Sequence, residues 1–336
     1  MSPQPTPERI FTTLTAYQAS AALVSAIELE LFTHVAAGTN TLGALARATG
    51  ASERGLRALA NHLVAEEFLV KQGERYSCSS DAALFLDGRS PAYMGSMAGF
   101  LNSKGLVECF DDLTAAVKRG GTVAPDGGTT AVENPVWVDF ARAMQPMARA
   151  FAGTLAECVI RNGMPRRVLD IAAGHGVYGI EIARRASRCE VVFQDWKNVL
   201  AVARENATKA GLGARAHYLP GSAFDVDFGK GNDAVLFTNF LHHFERAVNV
   251  RLLTKARASL APEGAVAVLE FALDDGRVSP PASATFDLVM LASTPHGEAF
   301  TLSEYAEMFG AAGLTPPERT NIPGGSHAVL LARAKR

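Results

Sequence analysis

Cysteine is scarce and scattered: Cys78, Cys109, Cys158 and Cys189 form no CxxC pair and do not cluster with histidine. That excludes a disulfide framework and a structural zinc site, and a reducing cytoplasm is the setting it fits. An excess of one charge is also missing. With 32 Lys and Arg against 34 Asp and Glu, the formal net charge of −2 gives no general pull toward nucleic acid or an anionic membrane. No apolar run approaches the roughly 20 residues that a membrane helix needs. The opening MSPQPTPERIF is polar and proline-rich and lacks the apolar core of a signal peptide. What remains is 48% hydrophobic and 20% charged, the composition of a packed globular protein, and 336 residues favour two domains.

The halves differ in pattern. Residues 14–33 carry apolar positions at helical spacing. The stretch TLGALARATGASERGLRALANHLVAEEFLV then reads as helix, turn, helix, with Thr41 and Ser52 as caps, Gly50 in the turn, and Glu53 and Glu66 on the exposed side. FLVKQGERYSCS forms a short hairpin around Gln72-Gly73, so this part reads as a winged helix-turn-helix. Residues 92–161 are helical again, broken by a Gly-, Pro- and Thr-rich loop and resuming as one helix, VWVDFARAMQPMARAFAGTLAECVIRNG. From there apolar runs suited to buried parallel strands (RRVLDIAA, EVVFQDW, ARAHYLPG, NDAVLFTN, AVAVLEFA) alternate with amphipathic helices, and HAVLLARA is a last strand. Such alternation predicts an α/β, doubly wound sheet. The domains expected are 1–95, the winged helix, and 96–336, a helical linker plus the α/β unit.

Val168 to Gly179, VLDIAAGHGVYG, is a strand, a glycine turn and a helix start, and Gly174, Gly176 and Gly179 satisfy G-x-G-x-x-G. Glycine is needed where backbone must come close to a ligand. Dinucleotide enzymes share this spacing, so the pattern alone leaves nicotinamide or flavin coenzymes open, as well as a tight turn with no ligand. Two features favour S-adenosylmethionine. Asp170, ending the strand before the glycines, would repel a pyrophosphate but suits the cationic methionine end. The module also stands behind a helical half, with no second mononucleotide half after it. Asp195, 25 residues after Asp170, can accept hydrogen bonds from ribose hydroxyls, but serves either cofactor.

The two halves together resemble the class I S-adenosylmethionine-dependent small-molecule O-methyltransferases with an N-terminal winged-helix dimerisation domain, a group that includes plant caffeate-type and bacterial polyketide-tailoring enzymes. The resemblance spans nearly the whole chain. It implies a Rossmann-like methyltransferase sheet, a homodimer formed through the N-terminal domain, and a small acceptor, an apolar and aromatic or polyketide-like metabolite with a hydroxyl. VLDIAAGHGVYG would hold the methionine end through Asp170, Gly174 and Gly176. FQDW would bind ribose through Asp195 and Trp196, and LPGSAFD adenine through Ser222, Ala223 and Phe224. Thr238 and Asn239 begin the catalytic segment TNFLHHF, and Phe140 and Met144 would cover the pocket. The chain departs from the family in having Ala172 for the first glycine and Ser222 for the adenine-loop aspartate.

The family's catalytic histidine stands in a His-Asp-Trp triplet, which His242-His243-Phe244 matches with His243 in place of aspartate. His242 is therefore the expected general base, at the sheet edge where ligands of open α/β sheets sit, with His243 as the other candidate. The supporting glutamate falls on Ala299 in GEAFT, leaving Glu298 as the nearest carboxylate. A metal-assisted C-methylation of a 2-oxo acid, using His242, His243 and His296, is the alternative reaction. From a different class, the winged helix suggests a DNA-binding regulator. Its second helix, however, sets Arg54 and Arg57 among Glu53, Glu66 and Glu67, without the basic stripe that phosphate contacts need.

Overall fold

The computed structural model describes residues 5–131, 133–161 and 163–335. The chain forms two compact units that part between Lys104 and Gly105. That is nine residues beyond the 95/96 boundary expected, because α7 (Ser96–Leu101) packs against α2 (Ala16–Glu28) in the first unit.

In the first unit the apolar stretch 14–33 is divided among α1 (Glu8–Leu14), α2, and α3 (Leu31–Ala36), with Glu30 in the left-handed region at the second break. Helix α4 (Leu42–Thr49), the turn at Gly50 (φ 71°) and α5 (Glu53–Ala65) make the helix-turn-helix. Ser52 caps α5 by accepting from the Gly55 amide at 3.1 Å, whereas Thr41 takes the cap position of α4 without a side-chain bond. Strands β1 (Leu69–Gln72) and β2 (Arg75–Cys78) pair antiparallel as the wing, and α6 (Ser80–Phe85) follows. Leu31, Phe32, Leu45, Leu56, Leu63 and Tyr76 close the core of this unit.

Helices α8 (Lys104–Glu108) and α9 (Leu113–Arg119) lead into the second unit. The single helix expected next is two, α10 (Val136–Ala143) and α11 (Gln145–Ile160), divided at Met144 with Pro146 in the first turn of the second. A seven-stranded sheet then forms with the order β5-β4-β3-β6-β7-β9-β8. Its members are β3 (Arg167–Ile171), β4 (Glu190–Asp195), β5 (Ala216–Pro220), β6 (Asn232–Thr238), β7 (Leu260–Phe271), β8 (Glu318–Asn321) and β9 (His327–Arg333). The first five are parallel and β9 is antiparallel to both its neighbours. Strand β8 has no apolar run, and its polar sequence ERTN at the sheet edge hid it from periodicity. The connecting helices are α12 (Val177–Arg185), α13 (Leu200–Lys209), α14 (Arg246–Ser259), α15 (Pro281–Ser293) and α16 (Leu302–Ala311), and two buried cores lie one on each face. The order reverses between β3 and β6, opening the switch-point crevice at the carboxyl ends of these strands.

Among the described residues no single helix is long and apolar enough to cross a membrane; α1 and α2 reach that length only together, across a 48° bend.

Leu236, on the central strand β6, is fully buried in one of these cores. Leu236→Ala is expected to cost about 2–5 kcal/mol through lost burial and a residual cavity. Urea unfolding would measure it, and a loss below about 1 kcal/mol would mean that the site collapses around the gap.

Candidate active site

The register of β3 with β4 and β6 sets Ile171 beside Gln194 and Phe237, bringing the glycine turn, Asp195 and Thr238 to one edge. There a cavity of about 400 Å³ opens, lined by Trp137, Phe140, Gly174, Asp195, Trp196, Ser222, Ala223, Phe224, Thr238, Asn239 and His243 among others. Met144 stands behind it, buried, on a void of about 20 Å³ that shares Phe140, Ala172, Gly174, Thr238 and Asn239 with the cavity.

The turn is held by backbone geometry. Gly174 has φ 55°, and a Cβ there would project into space with nothing nearer than 3.9 Å, so the missing side chain is what leaves the cavity open. Ala172 adopts φ 50° without glycine's freedom, a conformation costing of order 1–3 kcal/mol, which the surrounding bonds must offset. Its amide donates to the Gln194 side chain at 3.3 Å. Gly176 lies deeper, against Phe193 and Ala203 rather than on the cavity.

Asp195 is nearly buried. Its Oδ2 accepts from the Gly174 amide at 2.8 Å and its Oδ1 from the Trp196 amide at 2.7 Å, leaving one lone pair on each oxygen for a ligand. Burial raises its pKa to about 6, against the pull of those two amides. Asp170 lies under the turn, fully buried and off the cavity. Its Oδ2 accepts from the Gly179 amide at 3.2 Å, its Oδ1 has no partner among the described residues, and burial pushes its pKa up to about 8.

The turn that carries the histidine pair follows β6. Asn239, in the left-handed region (φ 52°), donates its amide to the Leu269 carbonyl. His242 is buried, and its Nδ1 lies 2.6 Å from Oε2 of the fully buried Glu270. The other oxygen, Oε1, accepts from the amides of Phe240 and Leu241 at 2.8 Å each and of His242 at 3.4 Å. A carboxylate with this many donors stays an acceptor, so Nδ1 carries the proton and Nε2 the lone pair. His243, not His242, touches the cavity. Its Nδ1 faces the Phe240 carbonyl at 3.1 Å, and burial, then His242, holds its pKa well below the ordinary histidine value, so it stays neutral.

Glu298 does not reach the ring of His242. Its carboxylate pairs with Arg277 at 2.8 Å, and only its backbone amide serves the turn, donating to the His242 carbonyl at 2.9 Å. The carboxylate that orients His242 is Glu270, which motif reasoning missed. Its signal was a lone acid in the apolar strand AVAVLEFA, a position that stays charged only when paired. Among the described residues His296 is not drawn into a metal-ligand set with His242 and His243.

Residues 128–315 match the model of the O-methyltransferase domain. The chain belongs to the O-methyltransferase family. It is an S-adenosylmethionine-dependent methyltransferase, and residues 11–88 match the O-methyltransferase dimerisation domain. It is 27% identical over 325 residues to 3-hydroxy-5-methyl-1-naphthoate 3-O-methyltransferase of Streptomyces sahachiroi, covering 93% of this chain and 91% of that one. To the tetracenomycin polyketide synthesis 8-O-methyl transferase of Streptomyces glaucescens it is 26% identical over 323 residues, covering 92% and 91%. A crystal structure of a candidate O-methyltransferase from Nostoc punctiforme superposes with a TM-score of 0.95 at 44% identity, covering 98% and 99%. Human N-acetylserotonin methyltransferase in complex with its methyl donor shares the fold, with a TM-score of 0.86 at 20% identity over all of both chains.

The buried Asp170 sets a stability expectation. Its pKa is about 8 in the folded chain against 3.8 for the free group, so the folded state holds the proton longer. The contribution of Asp170 to native stability therefore declines as pH rises through that window, while the unfolded chain alone ionises, and is flat on either side. Asp170→Asn is expected to gain thermal stability over the native protein from pH 4 to pH 8; a constant difference in Tm across that range would refute the burial account.

Proposed function

We propose that this methyltransferase acts on a hydroxyl of a small, aromatic or polyketide-like metabolite, with His242 as the general base. The observation that carries the reading is the buried Glu270 on Nδ1 of His242, which leaves Nε2 as an acceptor with no hydrogen-bond partner among the described residues. A neutral imidazole so oriented can take the hydroxyl proton, and the carboxylate behind it stabilises the imidazolium that results.

The residues present fit S-adenosylmethionine. The open face of Gly174 admits its methionine end, while Asp170 beneath the turn supports the loop through the Gly179 amide and does not face the ligand. Asp195 offers its remaining lone pairs to the ribose hydroxyls, Ser222 an oxygen to the base, and Trp196, Ala223 and Phe224 flank the ring. Bound there, the cofactor supplies a methyl on a cationic sulfur. The protein's part is to hold the acceptor oxygen in line and accept its proton. Positioning can supply up to roughly 7–11 kcal/mol and the base about 10²–10⁴-fold. Trp137, Phe140 and Phe240 make the wall apolar, which supports an aromatic acceptor, as do the naphthoate and tetracenomycin enzymes it resembles.

A second reading makes His243 the base, because it lines the cavity and keeps a neutral ring. The variants separate the two. His242→Ala is expected to lower kcat at least about tenfold with S-adenosylhomocysteine affinity unchanged, and Glu270→Gln to lower kcat in the same direction. Unchanged turnover in His242→Ala, with loss in His243→Ala, would transfer the role to His243.

The reading includes a homodimer formed through the N-terminal domain. Ile10, Phe11, Leu14 and Tyr17 on α1 and α2 are each more than 60% exposed, an apolar face unusual for a free surface, at the start of the dimerisation match. Sedimentation is expected to give a dimer for the native chain and a monomer for Leu14→Asp; a native monomer would overturn this part.

A further inference from the structure

Between β7 and α15 the chain turns through Arg277, a non-glycine residue at φ 58°, and its guanidinium is the hub of a charge cluster. Nη1 donates to both oxygens of Glu304, at 3.0 and 2.8 Å. Nη2 donates to Oε2 of Glu298 at 2.8 Å and to the carbonyl of Ala299 at 3.1 Å, and lies 3.8 Å from Asp287. The three carboxylates come from α15, from the segment after it, and from the first turn of α16. Without the guanidinium they would face one another, half-buried, with like charge.

The segment so held is pressed on the catalytic turn. A Cβ on Gly297 would come within 2.5 Å of the His242 carbonyl oxygen and 3.1 Å of the His243 Cα. The Glu298 amide donates to that same carbonyl at 2.9 Å, and the Ala299 amide is tied to Asp287 at 2.7 Å. Beside Asp287 on α15, Phe286 meets the His242 ring edge-on, with centroids 4.7 Å apart. His242 is thus held at Nδ1 by Glu270, at its carbonyl by Glu298, and at its ring by Phe286, and the last two contacts belong to elements that Arg277 ties together.

We propose that Arg277 is a positioning residue for methyl transfer: its fork locks the 297–299 segment and α15 onto the His242 turn, where Ala299 offers no carboxylate of its own. A planar fork is required, because four acceptors in one fan exceed what a lysine ammonium can serve. The proposal rests on the reading of His242 as base, and its test separates the two.

Arg277→Ala is expected to lower kcat about tenfold, with S-adenosylhomocysteine affinity by calorimetry within about twofold of native; Arg277→Lys should recover only part, and millimolar guanidinium should restore part of the turnover of Arg277→Ala but add nothing to the native enzyme. The downfield proton resonance of the His242 Nδ1–H bond to Glu270, assigned by its absence in His242→Ala, should broaden or shift in Arg277→Ala. Native turnover with an unaltered resonance would overturn the proposal, and so would a turnover loss matched by equal losses of cofactor affinity and thermal stability. Should Arg277→Ala not fold, Glu298→Ala, whose side chain is 38% exposed, takes its place: a severalfold fall in kcat with the same spectral change supports the clamp, and native values refute it. Unchanged turnover in His242→Ala would sink the base assignment and with it the catalytic role of the clamp, while the resonance in Arg277→Ala would still show whether Arg277 holds the turn.

Discussion

Glu270 is an ionisable group with no solvent exposure, placed near the end of β7 directly after the buried apolar run 265–269. Left alone there, a carboxylate would be too costly to keep. It is tolerated because one oxygen gathers the amides of the turn after β6 and the other meets the ring of His242. One group therefore fixes the backbone of the turn, the tautomer of the histidine and the direction of its free nitrogen. The parallel pairing of β6 and β7, Thr238 beside Leu269, brings the partners 28 residues apart into reach.

The cofactor edge obeys the same logic one strand over. Asp195 is buried with a raised pKa, yet two amides of the loops it touches stabilise its charged form. Gln194 stitches the two loops by accepting from the Ala172 amide and donating to the Gly221 carbonyl. The crevice is preorganised by these bonds before any ligand arrives, so the energy of binding need not be spent on ordering it.

The support on the other side of the His242 turn is built differently. It relies on a salt-bridge hub around Arg277 and on rings packed in sequence, with Phe271 stacked on Phe286 at 3.8 Å and Phe286 against His242. Exposed ion pairs contribute little stability, but a guanidinium among three half-buried carboxylates controls where the segments it joins can sit.

Local pattern was enough for the two-part organisation, the five parallel strands, the glycine turn, Asp195 and the histidine pair, because each rests on periodicity or on fixed spacing along the chain. The helix breaks at Glu30 and Met144 were not legible, since apolar periodicity continues across both while the backbone does not. Strand β8 escaped because its polar residues are paired by an edge ladder that no pattern announces. Which histidine faces the cavity, and that Glu270 rather than Glu298 meets His242, was decided by the tertiary structure alone. Those pairings join residues from different strands and loops, and only the register of the folded sheet sets the distance between them.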